Sequence, residues 1–123
     1  MVKLFESPFK HVNYCLVKSK EEYVRFCARH KVAKNEFMSL GKQGQCSMFE
    51  CGDVTLVIVQ VDKASCLEQF TKARIVGILV HEAVHIWQEI RTAMGEDKPS
   101  SEFEAYSIER ISEDLISEWG DGE

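Results

Sequence analysis

The stretch Cys66 to Met94, CLEQFTKARIVGILVHEAVHIWQEIRTAM, decides the fold class because it predicts one long helix. It contains no proline, its apolar residues recur at helical spacing, and Gly95 follows it as a typical C-terminal cap. The periodicity changes from strand-like to helical at Ala64, and Phe70 is an alternative start for the helix.

A broad apolar face runs along this helix. Residues advance by about 100° each, and with His81 set at 0° the apolar side chains fall between about 140° and 240°. They are Val76, Leu79, Ala83, Ile86, Trp87 and Ile90. His85 falls at about 40° and Glu82 at about 100°. The two histidines therefore point away from the apolar face, and Glu82 lies on their flank.

Shorter elements surround the long helix. HVNYCLV, residues 11–17, predicts a strand, and SKEEYVRFCARH, residues 19–30, predicts an amphipathic helix. CSMFEC and VTLVIVQV predict two strands that the dipeptide Gly52-Asp53 joins into a hairpin. Residues 102–119 predict the last helix. The order β-α-β-β-α-α predicts one α+β domain over residues 1–123, with a small antiparallel or mixed sheet packed on the long helix and the C-terminal helix.

The composition disfavours several functional classes. The formal net charge is −5 and Lys and Arg are scattered, whereas a nucleic-acid interface needs a concentrated basic surface, so we expect no direct nucleic-acid partner. The N-terminal sequence lacks the apolar core of a signal peptide, and no apolar run is long enough to span a membrane. Five cysteines at irregular spacing favour free thiols in a reducing cytoplasm.

HEAVH, residues 81–85, has the spacing of a metal-binding helix. Histidines at positions i and i+4 place two imidazoles over one point, close enough to share an ion. The offset position of Glu82 suits a base that takes a proton from water rather than a ligand. The alternative is that both histidines are surface residues of an amphipathic helix. The uncharged neighbours of the motif favour the metal site.

Catalytic zinc usually takes three protein ligands, and the helix predicted over residues 102–119 offers glutamates for the third. With Glu104 at 0°, the apolar stripe of that helix lies within about 60° of it, whereas Glu102 lies on the opposite face. A carboxylate on an inward face is costly unless it is paired or bound to metal, which favours Glu104 as a zinc ligand. The alternatives are that Glu104 pairs with Arg74 or Arg110, or that a rotated helix presents Glu102 instead.

HEAVH followed by EFEAYSI, with Glu104 19 positions beyond His85, resembles the gluzincin metallopeptidases. Residues 75–111 also look like small phage and prophage proteins described as metallopeptidases. The resemblance implies a minimal zincin-like domain in which His81, His85 and Glu104 bind Zn²⁺ and Glu82 is the general base for hydrolysis of a peptide or protein substrate.

The chain departs from that family in two ways. It is far smaller than a typical gluzincin, with no second domain to form the far wall of a cleft, and it has no clear match to the residue that stabilises the transition state. Tyr14, Tyr23, His11 and His30 are possible for that role, whereas helical phase puts Tyr106 on the side of its helix away from Glu104. Two alternatives to the peptidase therefore stay open. One is a zinc-binding regulatory or interaction module with weak or no turnover, and the other is a metal-free interaction domain.

Two supporting roles follow from the same pattern. Val54–Val61 is either a sheet edge beside the helix that binds an extended peptide by strand addition, or an ordinary core strand. Glu89, four residues after His85, either accepts the second imidazole N–H of that histidine or is a solvated surface residue.

Overall fold

Four strands and four helices make up the part of the chain that the computed structural model describes, residues 2–7, 11–32, 37 and 43–121. The strands are β1 (Phe5–Glu6), β2 (Val12–Val17), β3 (Gln45–Cys51) and β4 (Val54–Gln60). The helices are α1 (Lys20–Arg29), α2 (Lys63–Gln69), α3 (Lys72–Met94) and α4 (Ser101–Asp121). The α+β class predicted from the sequence is confirmed, and β1 and the separate α2 are additions that the sequence did not predict.

The sheet is mixed and has the strand order β1-β2-β4-β3. Strand β2 pairs antiparallel with β1 and parallel with β4, and β3 pairs antiparallel with β4. The predicted hairpin is confirmed, with Gly52 at a φ of 68° in its turn. Strand β4 is thus an interior strand, so of the two alternatives for Val54–Val61 the core strand is the one observed and the sheet edge is not. The edge strand on that side is β3.

Both faces of the two central strands are buried, which explains their nearly continuous apolar sequences. Alternate residues of β2 and β4 join two separate clusters of buried side chains. The larger cluster packs the sheet against α3 and α4, and the smaller one packs its other face against α1. The domain therefore has three layers, with the sheet between α1 and the helical pair.

The long helix predicted from Ala64 is interrupted, so the alternative start near Phe70 was the better one. Phe70 is extended, with φ −123° and ψ 151°, and it separates α2 from α3. Each helix has its own N-terminal cap, because the side chains of Asp62 and Thr71 accept hydrogen bonds from backbone N–H groups in the first turns. Gly95 ends α3 in the left-handed conformation, as the sequence predicted.

Helix α4 packs with the face that its periodicity predicted. Ile111, Leu115 and Trp119 are buried, whereas Glu102 is exposed. Two side-chain hydrogen bonds tie the second half of α4 to other elements. The Tyr14 hydroxyl donates to Asp114, and the Lys63 ammonium donates to the backbone carbonyl of Trp119. Within the residues described, no helix combines the length and apolarity that crossing a membrane requires.

Candidate metal centre

His81 and His85 lie side by side on the exposed face of α3, one helical turn apart. Their Nε2 atoms are 3.3 Å apart, and their ring centroids are separated by 4.9 Å. Two nitrogens bound to one tetrahedral zinc at 2.0–2.1 Å would lie about 3.3–3.4 Å from each other. The two imidazoles therefore already have the spacing of a zinc-binding pair. A hydrogen bond between two neutral rings would give the same distance.

Gln88 orients the second histidine. Its side-chain oxygen lies 3.1 Å from Nδ1 of His85 and can accept a hydrogen bond from a protonated Nδ1. In that tautomer Nε2 carries the lone pair that faces His81, which is the arrangement a metal ligand needs. The sequence offered Glu89 for this role as one of two alternatives, and in the structure the hydrogen-bond partner of the His85 ring on this side is Gln88.

Glu82 is buried, with only 3% of its surface exposed, although it lies between two exposed histidines in the sequence. Its side chain points toward the start of β3. A Cβ atom added at Gly44 would lie 3.0 Å from Glu82 Oε2 and 3.0 Å from Ile78, which is closer than ordinary contact. The absence of a side chain at position 44 thus lets the backbone of this segment cover the carboxyl group of Glu82.

Cys46 is the direct partner of Glu82. Its thiol donates a hydrogen bond of 3.1 Å to Oε1 and lies 3.8 Å from the backbone carbonyl oxygen of the same residue. Burial, followed by the nearby carboxyl group of Glu82, raises the pKa of the Cys46 thiol well above its usual range. Cys46 is therefore a neutral hydrogen-bond donor. No sequence signal pointed to it, because it is 36 positions from Glu82 and the contact depends on how β3 packs against α3.

Glu104 lies on the opposite side of α3 from the two histidines. Its carboxyl group accepts a hydrogen bond of 2.9 Å from the indole N–H of Trp87, a residue on the buried face of that helix. Among residues 2–7, 11–32, 37 and 43–121, no group of three or more His, Cys, Asp or Glu side chains is placed to hold a metal ion. The structure therefore brings His81, Glu82 and His85 together and does not bring Glu104 to them.

The arginine partners considered for Glu104 are also placed elsewhere. Arg74 donates to the side chain of Gln43, and Arg110 pairs with Asp114 at 3.7 Å on its own helix. The partner of the Glu104 carboxyl group at the head of the apolar stripe is therefore the indole N–H of Trp87 and not the side chain of an arginine. The other candidate, Glu102, is exposed in the first turn of α4.

Two hollows meet at the histidine motif. One has a volume of about 330 Å³ and the other about 300 Å³, and Gly44, His81 and Glu82 line both. The first extends to Arg74, and the second extends along β3 to Met48 and Glu89. Together they form a groove between the edge strand and α3.

Neither the four candidates for the transition-state donor nor Tyr106 is among the described residues that line this groove. The Tyr14 hydroxyl is held by Asp114, Tyr23 is buried, and Tyr106 is 64% exposed. His30 stacks on Phe26 near α1, and His11 is exposed before β2.

Comparisons with known proteins found no match to the chain among protein-family models, curated proteins or solved structures.

Proposed function

We propose that the chain is a zinc-dependent peptidase in which His81 and His85 hold the metal and Glu82 acts as the general base. The observation that carries the proposal is the separation of 3.3 Å between the two Nε2 atoms, combined with a glutamate between them that turns toward a groove. This separation matches the spacing of two nitrogens bound to one tetrahedral zinc, and the groove beside Glu82 distinguishes the site from a plain hydrogen bond between two surface rings.

Glu104 is the third ligand in this proposal, as in the resemblance to gluzincins. Its carboxyl group is held by Trp87, so metal binding by Glu104 requires that this hydrogen bond be exchanged for coordination and that the side chain change position. Gln88 supports the site by fixing the ring orientation of His85.

Glu82 performs the proton transfer. When bound, zinc makes water acidic enough to lose a proton near neutral pH. Glu82 accepts that proton and delivers it to the amine that leaves when the peptide bond breaks. Because Oε1 of Glu82 accepts the hydrogen bond from the Cys46 thiol, Oε2 is the oxygen that takes part in proton transfer.

The edge strand β3 supports the choice of a peptide as substrate. It borders the groove through Gln45, Cys46 and Met48, and one of its sides has no strand partner among the described residues. An extended peptide can add to such an edge through backbone hydrogen bonds and lie directly over the histidines. The sequence offered this role for Val54–Val61 as one of two alternatives, and we propose it for β3 instead. Five free cysteines support a cytoplasmic location, and the resemblance points to a phage or prophage origin.

A second candidate function is a zinc-binding regulatory or interaction module with weak or no turnover. The burial of Glu82 under Gly44 and its hydrogen bond to Cys46 favour this alternative, because a general base must reach water. The two functions share the metal and differ in what Glu82 does.

Metal analysis and one substitution separate these functions. Protein purified without added zinc should contain about one zinc per chain, and its absence from folded protein would reject both candidates. Glu82→Gln should retain the metal and lose hydrolysis of a peptide that the wild type cleaves. Equal cleavage by both proteins would remove Glu82 from the mechanism, whereas zinc binding with no cleavage of a broad peptide mixture favours the regulatory module.

A further inference from the structure

The groove has opposite charges at its two ends. Arg74 lies at one end and Glu89 at the other, with His81 and His85 between them. On a helix with about 100° per residue these four positions fall within a sector of about 80°, so they form one stripe along α3. Among the described residues neither Arg74 nor Glu89 forms an ion pair, and the guanidinium of Arg74 donates to the neutral side chain of Gln43. A ligand in the groove would meet both charged groups.

Strand β3 runs along the groove in the same direction as α3. Gly44 lies against Ile78 and Glu82, whereas Met48 lies farther along, in the hollow that Gln88 and Glu89 also line. A peptide that pairs antiparallel with β3 therefore enters at the Glu89 end and leaves at the Arg74 end. In this orientation its amino terminus meets a carboxylate and its carboxyl terminus meets a guanidinium. The parallel orientation would place like charges together at both ends.

The length of the groove fits a short peptide. Arg74 and Glu89 are 15 positions apart, which corresponds to about 22 Å along the helix axis. An extended strand rises about 3.4 Å per residue, so about six residues cover this distance. Because the side chains of Arg74 and Glu89 can reach into the groove, a peptide of five residues can also contact both. A peptide of seven residues can do so if one of its ends bends.

We propose that Arg74 and Glu89 select short peptides by their free ends, with the carboxyl terminus at Arg74 and the amino terminus at Glu89. The proposal rests on the proposed peptidase function only in treating the peptide bound in the groove as the substrate of this protein. It implies that the protein acts on oligopeptides of about five to seven residues, such as the products of other proteases, more readily than on folded proteins.

The test measures binding, so that it does not depend on turnover. An uncharged, alanine-rich hexapeptide is prepared with free ends, with an acetylated amino end, with an amidated carboxyl end, and with both modifications. Each peptide is titrated into the Glu82→Gln protein, with and without zinc, and the backbone amide signals of β3 are followed by NMR. Because an exposed ion pair changes affinity by up to about fivefold, each blocked end should weaken binding about two- to fivefold.

Two charge-removing variants assign the ends. Arg74→Gln should abolish the effect of amidation and leave the effect of acetylation, and Glu89→Gln should do the reverse. Lys72→Gln removes an exposed charge at the first residue of α3, and Glu96→Gln removes one just after its end. Both positions lie outside the groove lining, so both variants should behave like the parent protein.

The outcomes also separate this proposal from the peptidase function. Equal affinity for all four peptides, no binding of any, or exchanged roles of Arg74 and Glu89 would overturn the charged-end proposal. If the wild type still binds zinc and cleaves peptides regardless of their ends, the peptidase function stands alone. Selective binding with no zinc and no cleavage would keep the charged groove and reject the peptidase.

Discussion

The hydrogen bond between Cys46 and Glu82 yields the sharpest stability prediction. Cys46→Val replaces the thiol by an apolar group of similar size and leaves Oε1 of Glu82, a residue that is 3% exposed, without its donor. Leaving a buried polar group unsatisfied costs about 1–3 kcal/mol. Cys46→Ser keeps a donor at the same position and should cost much less.

The size of the effect in an experiment follows from the chain length. For a domain of 123 residues, a loss of 1 kcal/mol lowers the melting temperature by about 3–5 °C. A cost of about 2 kcal/mol for Cys46→Val therefore lowers Tm by about 6–10 °C. Thermal unfolding followed by circular dichroism under reducing conditions measures this shift.

A double-mutant cycle isolates the contact from the general effect of changing a cysteine. In a Glu82→Met background no carboxyl group remains to be satisfied, so Cys46→Val should cost almost nothing. Cys66→Val, at another buried cysteine, serves as the matched control and should cost the same with Glu82 or Met at position 82. An equal cost of Cys46→Val in both backgrounds would refute the reasoning, because the thiol would then contribute only by packing.

Three further predictions concern the metal and the titratable groups. Gln88→Leu should weaken zinc binding about 10- to 100-fold, measured by competition with a chromophoric chelator, because the ring of His85 loses its partner. Glu104→Gln still accepts from the Trp87 indole and should keep Tm while weakening zinc binding at least about tenfold; unchanged affinity would remove Glu104 from the ligand set. Burial raises the pKa of Cys15 and of Cys66. The folded protein therefore retains protons that the unfolded chain releases above about pH 8.5, and stability is lost as the pH rises beyond that value, by about 1.4 kcal/mol per pH unit for Cys15. Urea unfolding at pH 7.5 and 9.5 measures this loss, and equal midpoints would contradict it.

Most features that the sequence predicted correctly follow from helical periodicity. The apolar stripes of α3 and α4 and the exposure of His81 and His85 follow from residue spacing, because the environment of a helix face depends on local geometry. The cap at Gly95 and the hairpin turn at Gly52 are equally local. The interruption at Phe70 has a local signal as well, since Thr71 is of a residue type that commonly caps helix N-termini.

Contacts between distant segments account for the remaining differences. The sequence placed Glu82 on the flank of the histidine face, and its burial depends on Gly44 and Cys46, which no periodicity connects to α3. The phase of Glu104 correctly indicated an inward position, but phase fixes only the face of α4 and not the side of α3 that this face meets. The sequence left Val54–Val61 open between an edge strand and a core strand, because the position of β4 in the sheet depends on its two neighbours, β2 and β3, which lie far apart in the chain.

The parallel pairing of β2 with β4 also has a consequence for the order of folding. It joins Val12 to Thr55 across 43 positions, whereas every described residue that lines the groove comes after position 42. Closing a long loop is entropically costly, and parallel strands form slowly. We therefore expect the hairpin and α3 to assemble the histidine groove early, from a continuous segment, and β2 to insert afterwards. Substitutions that weaken β2 should slow the last phase of folding. In molecules that finish folding, the groove between β3 and α3 should be unchanged.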